Sequence, residues 1–206
     1  NYRPISVQVS LSKVFESEMS EQIDYYMTTN NYWDANQYGF KKKKGCQETI
    51  AKVIHEVSKI LDRKSSVLLL SLDLSKAFDS IDHQILLTKL AKLGFSFESL
   101  ELIRSYLSDR TQAVQINGSQ SKEGKVSGGI TQGSCNGPTL FNLYINDIKD
   151  LNLSCLNYRF ADDSMLIWEI GTDINQTIRN INFDLDEIGA YYVSNKLKLN
   201  LSKSKY

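Results

Sequence analysis

The sequence predicts an α+β fold, an antiparallel sheet covered by helices on one face. Three observations predict it. Short apolar runs alternate along the chain with longer stretches whose apolar residues recur every three or four positions. Two of the runs, Cys155–Phe160 and Ser164–Trp168, flank Ala161-Asp162-Asp163 and read as a hairpin with acids at its bend. A third run, residues 67–74, is bounded by polar residues, the pattern of a strand buried on both faces.

The elements follow in order. Leu11, Phe15, Met19, Ile23 and Met27 stand four apart and predict a helix over about 11–28. Ile50, Val53, Ile54, Val57, Ile60 and Leu61 predict a second helix over 46–62. Glu48 near its start and Lys59, Arg63 and Lys64 near its end suit the helix dipole. After the 67–74 strand, Asp82 caps a helix that runs to Leu93 and stops at Gly94. Residues 97–107 predict a further short helix. Thr111–Asn117 and Ser121–Ser127 flank Gly118 and read as a hairpin. Pro138 suits the first turn of a helix through about Lys149. Beyond the acid-bearing hairpin, Ile174, Ile178, Ile181, Leu185, Ile188 and Tyr192 form a helical stripe capped by Asp173. Leu197–Leu201 alternates and reads as a closing strand.

Composition narrows the function class. The 206 residues are 41% hydrophobic and 10% aromatic, which fits a folded chain with a real core rather than a disordered one. No apolar run is long enough to span a bilayer. The opening Asn1-Tyr2-Arg3-Pro4 lacks an initiator Met and a signal-peptide pattern, so an excised piece of a longer protein is expected. Three cysteines without Cys-x-x-Cys spacing favour a reduced intracellular setting over a disulfide scaffold or a zinc site. His55 and His83 have no second ligand at metal spacing, and Cys135 is assigned no chemistry. The formal net charge is zero, which counts against a dedicated nucleic-acid binder, although Lys41–Lys44 is a local basic cluster.

The chemistry rests on carboxylates. Asp73 lies at the end of the apolar strand, and Asp162 and Asp163 follow 89 and 90 residues later. Read alone, Asp-Asp is an ordinary turn dipeptide. Brought into one cleft, three carboxylates repel unless neutralised, and two Mg²⁺ ions would do that. Two metals about 3.5–4 Å apart clamp the attacking and leaving oxygens of a phosphoryl transfer.

The surrounding motifs resemble the reverse transcriptases of non-LTR (LINE-type) retrotransposons, in order and along nearly the whole chain. Asn1–Ser6 with Leu11-Ser12-Lys13-Val14-Phe15-Glu16 resembles the family's first block, and Asn36-Gln37-Tyr38-Gly39-Phe40-Lys41 its second. Leu72-Asp73-Leu74-Ser75-Lys76-Ala77-Phe78-Asp79-Ser80-Ile81-Asp82-His83 resembles the first metal-binding block. Gly129–Ser134, Gly137-Pro138 and Leu140–Ile148 resemble the template and nucleotide block. Phe160-Ala161-Asp162-Asp163 is similar to the aromatic-Ala-Asp-Asp signature, and Asn195–Asn200 with Lys203 to the last palm block.

The resemblance implies a right-hand polymerase with fingers over 1–66 and 96–132, palm over 67–95 and 133–206, and the thumb absent. It implies Asp73, Asp162 and Asp163 as catalytic acids holding two Mg²⁺ ions, with Mn²⁺ as a substitute. Asp73, Asp162 and the Leu74 carbonyl would be direct ligands, and Asp163 supportive. Nucleotide contacts are implied for Lys41, Ser75, Lys76, Ala77, Phe78, Gln132, Gly133 and Lys203, and template or primer contacts for Pro138, Phe160 and Ala161. Phe78 would exclude the ribose 2′-hydroxyl. Read alone it is a core aromatic, and Lys41–Lys44 read alone is a solvated surface run. Lys41 stands where the family commonly has Arg, and loses the bidentate fork. Thr131 stands where the family usually has Pro.

The implied partners are an RNA template, a DNA primer and dNTPs, with no membrane and with thumb and endonuclease segments of the same polyprotein. The implied setting is the nucleus or cytoplasm. Two other functions fit the same fold: a catalytically retired RNA-binding or structural module, and a group II intron-type maturase.

Overall fold

The computed structural model describes residues 5–206, so the Asn1–Pro4 part of the first expected block lies outside the described residues. The expected mixture of helix and antiparallel strand is present. Helix α1 (Ser10–Thr29) buries Glu16, Met19, Ile23 and Met27, whereas Leu11 and Phe15 face solvent. The sequence period explains the difference. A residue step of four turns the helix about 40° too far each time, so a strict four-residue stripe wanders roughly 160° between Met27 and Leu11.

Helix α2 (Cys46–Asp62) is followed by β1 (Ser66–Leu72), β2 (Leu74–Ser75), α3 (His83–Lys92) and α4 (Phe97–Leu107). Asp82 caps α3 by accepting from the Ile85 amide at 3.0 Å, and Gly94 ends the segment at φ 83°. The main sheet has the order β1-β8-β7, all antiparallel, with β7 at Leu156–Phe160 and β8 at Asp163–Ile170. This corrects the expectation for residues 67–74. Strand β1 is an edge strand with Leu69 36% exposed, while the central β8 carries the buried Leu166, Ile167 and Trp168.

The sheet is covered on both faces, not one. Leu68 and Leu70 of β1 and Leu166 and Trp168 of β8 join the main core with Ile188 and Tyr192. Val67, Tyr158 and Ile167 point the other way and pack on Val53, Val57 and Ile60 of α2. Strand alternation sends successive residues to opposite faces, so a nearly continuous apolar run needs two covers.

After α4 the expected hairpin forms as four two-residue strands: β3 (Thr111–Gln112) pairs with β6 (Gly124–Lys125), and β4 (Gln115–Ile116) with β5 (Ser119–Gln120). Asn117 and Gly118, at φ 50° and 80°, make the tight turn that favours Asn-Gly. All eight strand residues are exposed, so no buried face holds a longer ladder in register.

Helix α5 (Gly137–Ile145) carries Pro138 in its first turn as expected, then tightens into a 3-10 turn (Asn146–Asp150) rather than continuing to Lys149. There the Asn146 side chain accepts from the Asp34 amide and donates to the Tyr32 carbonyl, both at 2.9 Å. Helix α6 (Ile174–Ser194) is capped by Asp173, and the short β9 (Lys198–Leu199) pairs with β2. Among the described residues no helix is long and apolar enough to cross a membrane.

Candidate active site

The ladder between β1 and β8 ends at Leu72 opposite Ser164. The next residue on each strand is an acid, Asp73 and Asp163, so local strand pairing alone brings together positions far apart in sequence. Strand β8 turns back into β7 through Phe160 paired with Asp163, which leaves Ala161 and Asp162 as the two turn residues. Ala161 has φ 55°. A left-handed residue first in a two-residue loop is the pattern of a type II′ turn, where glycine is usual.

The four charges share one electrostatic neighbourhood. The Asp163 carboxyl is raised from its ordinary value, first by partial burial, then by Asp162 and Asp73, with Lys203 opposing. The Lys203 ammonium lies 3.6 Å from Asp73 Oδ2. That same oxygen is buried and accepts no hydrogen bond. A buried carboxylate oxygen without a donor is costly unless a cation answers it. Lys203 stays 60% exposed, so it answers only part of the charge. Asn200 ties the last segment down by donating its amide to the Asp73 carbonyl at 2.8 Å and accepting from the Lys203 amide at 3.1 Å.

Among the described residues no three His, Cys, Asp or Glu side chains close into a ready-made metal cage. An open set still fits Mg²⁺, which keeps several waters and takes one or two carboxylates together with substrate phosphates. The oxygen-only donors and the orphaned Asp73 Oδ2 match that habit.

Around the acids, Leu74 and Ala77 are buried, Ser75 is half-buried and pairs with Lys198, and Lys76 is exposed at φ 50°. The Phe78 ring stacks on Phe141 with centroids 5.0 Å apart and meets Phe40 edge-on at 5.9 Å. It is therefore both a partly buried core ring and a wall of the adjoining loop. The Phe78 carbonyl accepts from the Ile130 amide at 2.9 Å, and a Cβ on Gly137 would sit 3.8 Å from the ring. These contacts bring the Gln132–Pro138 loop against the strand-to-helix turn. Gln132 is half-buried, and its carbonyl accepts from the Ser6 amide at 3.0 Å. Gly133 takes φ 93° beside Ile5 and Ser6.

Lys41 stands apart. Its ammonium donates to the Asp34 carbonyl at 2.5 Å and sits 5.2 Å over the Trp33 ring. Burial, then Lys44, lowers it to about 8; the charges acting on it are Lys44, Asp34, Arg159 and Asp24, not the three acids.

Sequence reasoning missed three supports. Glu16 is fully buried and accepts from the Cys135 amide at 2.7 Å, Tyr106 Oη at 2.8 Å and Gln8 Nε2 at 2.6 Å, anchoring the Gln132–Pro138 loop to α1. Arg159 and Asp34 form a buried ion pair beneath β7. Gln37 binds the Ala161 backbone. One signal was present: Glu16 lies only three residues before Met19, within reach of the core face of its helix.

The sequence profile described as "Reverse transcriptase (RNA-dependent DNA polymerase)" matches residues 1–206. The chain is similar to the "Probable RNA-directed DNA polymerase from transposon BS" of Drosophila melanogaster, 28% identical over 99% of this chain and 23% of that protein. It is also similar to the corresponding protein of the transposon X-element of the same fly, 33% identical over 79% of this chain and 18% of the relative. It thus spans about a fifth of the length of these relatives. Among solved structures, a telomerase from Candida albicans in complex with a telomeric RNA fragment superposes with a TM-score of 0.62 at 17% identity, over 95% of this chain and 35% of that one. That likeness concerns the fold. The match along the full sequence, on a chain whose strands bring Asp73 to the Asp162–Asp163 turn, settles the family: this chain belongs to the reverse transcriptases.

Proposed function

We propose that this chain is the polymerising part of a non-LTR retrotransposon reverse transcriptase, extending the 3′-hydroxyl of a DNA primer with dNTPs on an RNA template. One observation carries the reading: Asp73 and the Asp162–Asp163 turn meet at the end of the β1–β8 ladder, with Lys203 beside them. In this reading residues 1–66 and 96–132 are fingers, and 67–95 and 133–206 are palm.

Asp73, Asp162 and the Leu74 carbonyl would hold two Mg²⁺ ions, or Mn²⁺, with Asp163 in support. Bound there, the ions supply activation of the primer hydroxyl and charge stabilisation of the transferring phosphoryl group. The Lys203 ammonium lies beside Asp73 and is placed to offset charge on the departing pyrophosphate. Phe78, braced by Phe141, occupies the space a ribose 2′-hydroxyl would need. Ser75, Lys76, Ala77, Gln132 and Gly133 line the nucleotide, and Pro138, Phe160 and Ala161 face template and primer. Lys41 keeps one N–H on the Asp34 carbonyl and would offer the others to a phosphate. The setting is the nucleus or cytoplasm, where template and target meet.

Primer extension on an RNA template with dNTPs and Mg²⁺ tests this. Asp162→Asn lowers incorporation by at least on the order of 100-fold, as for loss of one group that stabilises transition-state charge. Incorporation that survives the substitution would sink the assignment.

A further inference from the structure

Gln37 is 2% exposed and lies on the segment that precedes Gly39. Its Oε1 accepts from the Ala161 amide at 3.0 Å and from the Gly39 amide at 2.8 Å, while its Nε2 donates to the Ala161 carbonyl at 3.1 Å. One side chain therefore satisfies both backbone polar groups of Ala161. The amide orientation follows from its partners, two N–H groups on one side and a C=O on the other.

Ala161 needs such a restraint. At φ 55° it occupies a region that residues with a Cβ seldom adopt, and surrounding structure must hold it there. The segment around Gln37 is built to do so. It lies along β7 as a parallel bridge, with the Tyr38 amide on the Arg159 carbonyl at 2.8 Å and the Arg159 amide on the Asn36 carbonyl at 2.9 Å. The buried Arg159–Asp34 ion pair ties the same two segments. Asn142 of α5 donates to the Gly39 carbonyl at 3.0 Å. Gly39 itself touches the turn: a Cβ there would meet the Ala161 nitrogen at 2.1 Å. Asp162 is the next residue after Ala161, so the direction of its carboxylate follows the Ala161 backbone.

We infer that Gln37 is a positioning residue, whose amide holds Ala161 in the left-handed conformation that sets Asp162 and Asp163 against Asp73. The inference rests on the polymerase reading for what those carboxylates do, and on the hydrogen bonds alone for what Gln37 does. Gln37 touches no substrate in this scheme. It acts through one turn.

The test is Gln37→Met, which keeps the side chain's length and removes both hydrogen-bonding functions, made in the full-length protein that contains this chain. Residue-resolved amide exchange is read beside kcat and KM. The Ala161 amide exchanges at least about tenfold faster in the variant while Leu166 in β8 keeps its protection, as for a local opening. Loss of positioning lowers kcat about tenfold or more, with the KM for dNTP within about threefold. Adding Ala161→Gly recovers part of the lost kcat, because glycine takes a positive φ without strain. Unchanged Ala161 exchange, equal acceleration throughout β7 and β8, or unchanged kcat would each overturn the proposal. If Gln37→Met does not fold, the double variant decides: a folded double variant supports the restraint on Ala161, and an unfolded one makes Gln37 a general brace of the core. A native protein without polymerase activity would overturn the polymerase reading, while exchange at Ala161 would still judge the clamp.

Discussion

The Asp163 carboxyl sits above its ordinary value of 3.8 because of partial burial and the charges of Asp162 and Asp73. An acid raised in this way is harder to ionise in the folded chain than in the unfolded one. Its charge therefore subtracts stability above the folded pKa, and the loss disappears below the unfolded value. Asp163→Asn melts at a higher temperature than the native chain at pH 7, and the gain vanishes below about pH 3. A melting temperature that does not rise at pH 7 would remove Asp163 from the acid cluster. In the proposed site, function and stability would thus pull against each other at one side chain, as they do where active sites hold like charges together. The acids proposed as catalytic stood out in the sequence because their motif is local: Asp162 and Asp163 are adjacent, between two apolar runs. What Glu16 and Gln37 support did not, because the loop amides they accept from at Cys135 and Ala161 lie 119 and 124 residues away.

Helix α6 is joined to the sheet by a charge as well as by packing. Asp184 is fully buried in the apolar seam and accepts from the Ser154 amide at 2.9 Å, Ser154 Oγ at 2.7 Å, the Cys155 amide at 3.0 Å and Trp168 Nε1 at 2.8 Å. Burial by itself would raise its pKa, but the bonds from Ser154, Trp168 and Cys155 outweigh it and hold the carboxyl below its ordinary value. The same acid, after burial, pushes the Cys155 thiol up to about 12, so that cysteine stays protonated and inert. Asp184→Ala leaves four donors without an acceptor and costs ~3 kcal/mol or more in urea unfolding at pH 7. A lowered folded pKa means that the stabilisation is present above the unfolded value and is lost as pH falls through the folded one. The gap between native and Asp184→Ala chains therefore narrows on acidification. A cost that is flat with pH would show that the charge contributes nothing. The sequence showed α6 as an apolar stripe with Asp184 three residues after Ile181 and four before Ile188, but nothing local recorded the donors from Ser154, Cys155 and Trp168 that meet it.

For the molecule as a whole, 24 basic and 24 acidic residues cancel, so no uniform positive field draws in a polyanion. Under the proposed function, binding of an RNA–DNA duplex would then rest on a few local phosphate contacts. Raising salt from 50 to 200 mM weakens it by less than the ~10³-fold that six or more contacts would give. A steeper loss, read by fluorescence anisotropy, would show that a broad basic surface forms in the complex. The sequence by itself determined the kinds of element and their order, and its motifs pointed to the three acids. Those depend on periodicity, caps and short motifs, which act over a few residues. Only the tertiary structure decided that β8 rather than β1 is central, that α2 covers the second face of the sheet, and that the Ala161 turn is held by Gln37. Each of these is a choice of partner between segments far apart in the chain. Such choices are made by burying both faces of one sheet and pairing backbone polar groups between distant segments, and no local pattern records them.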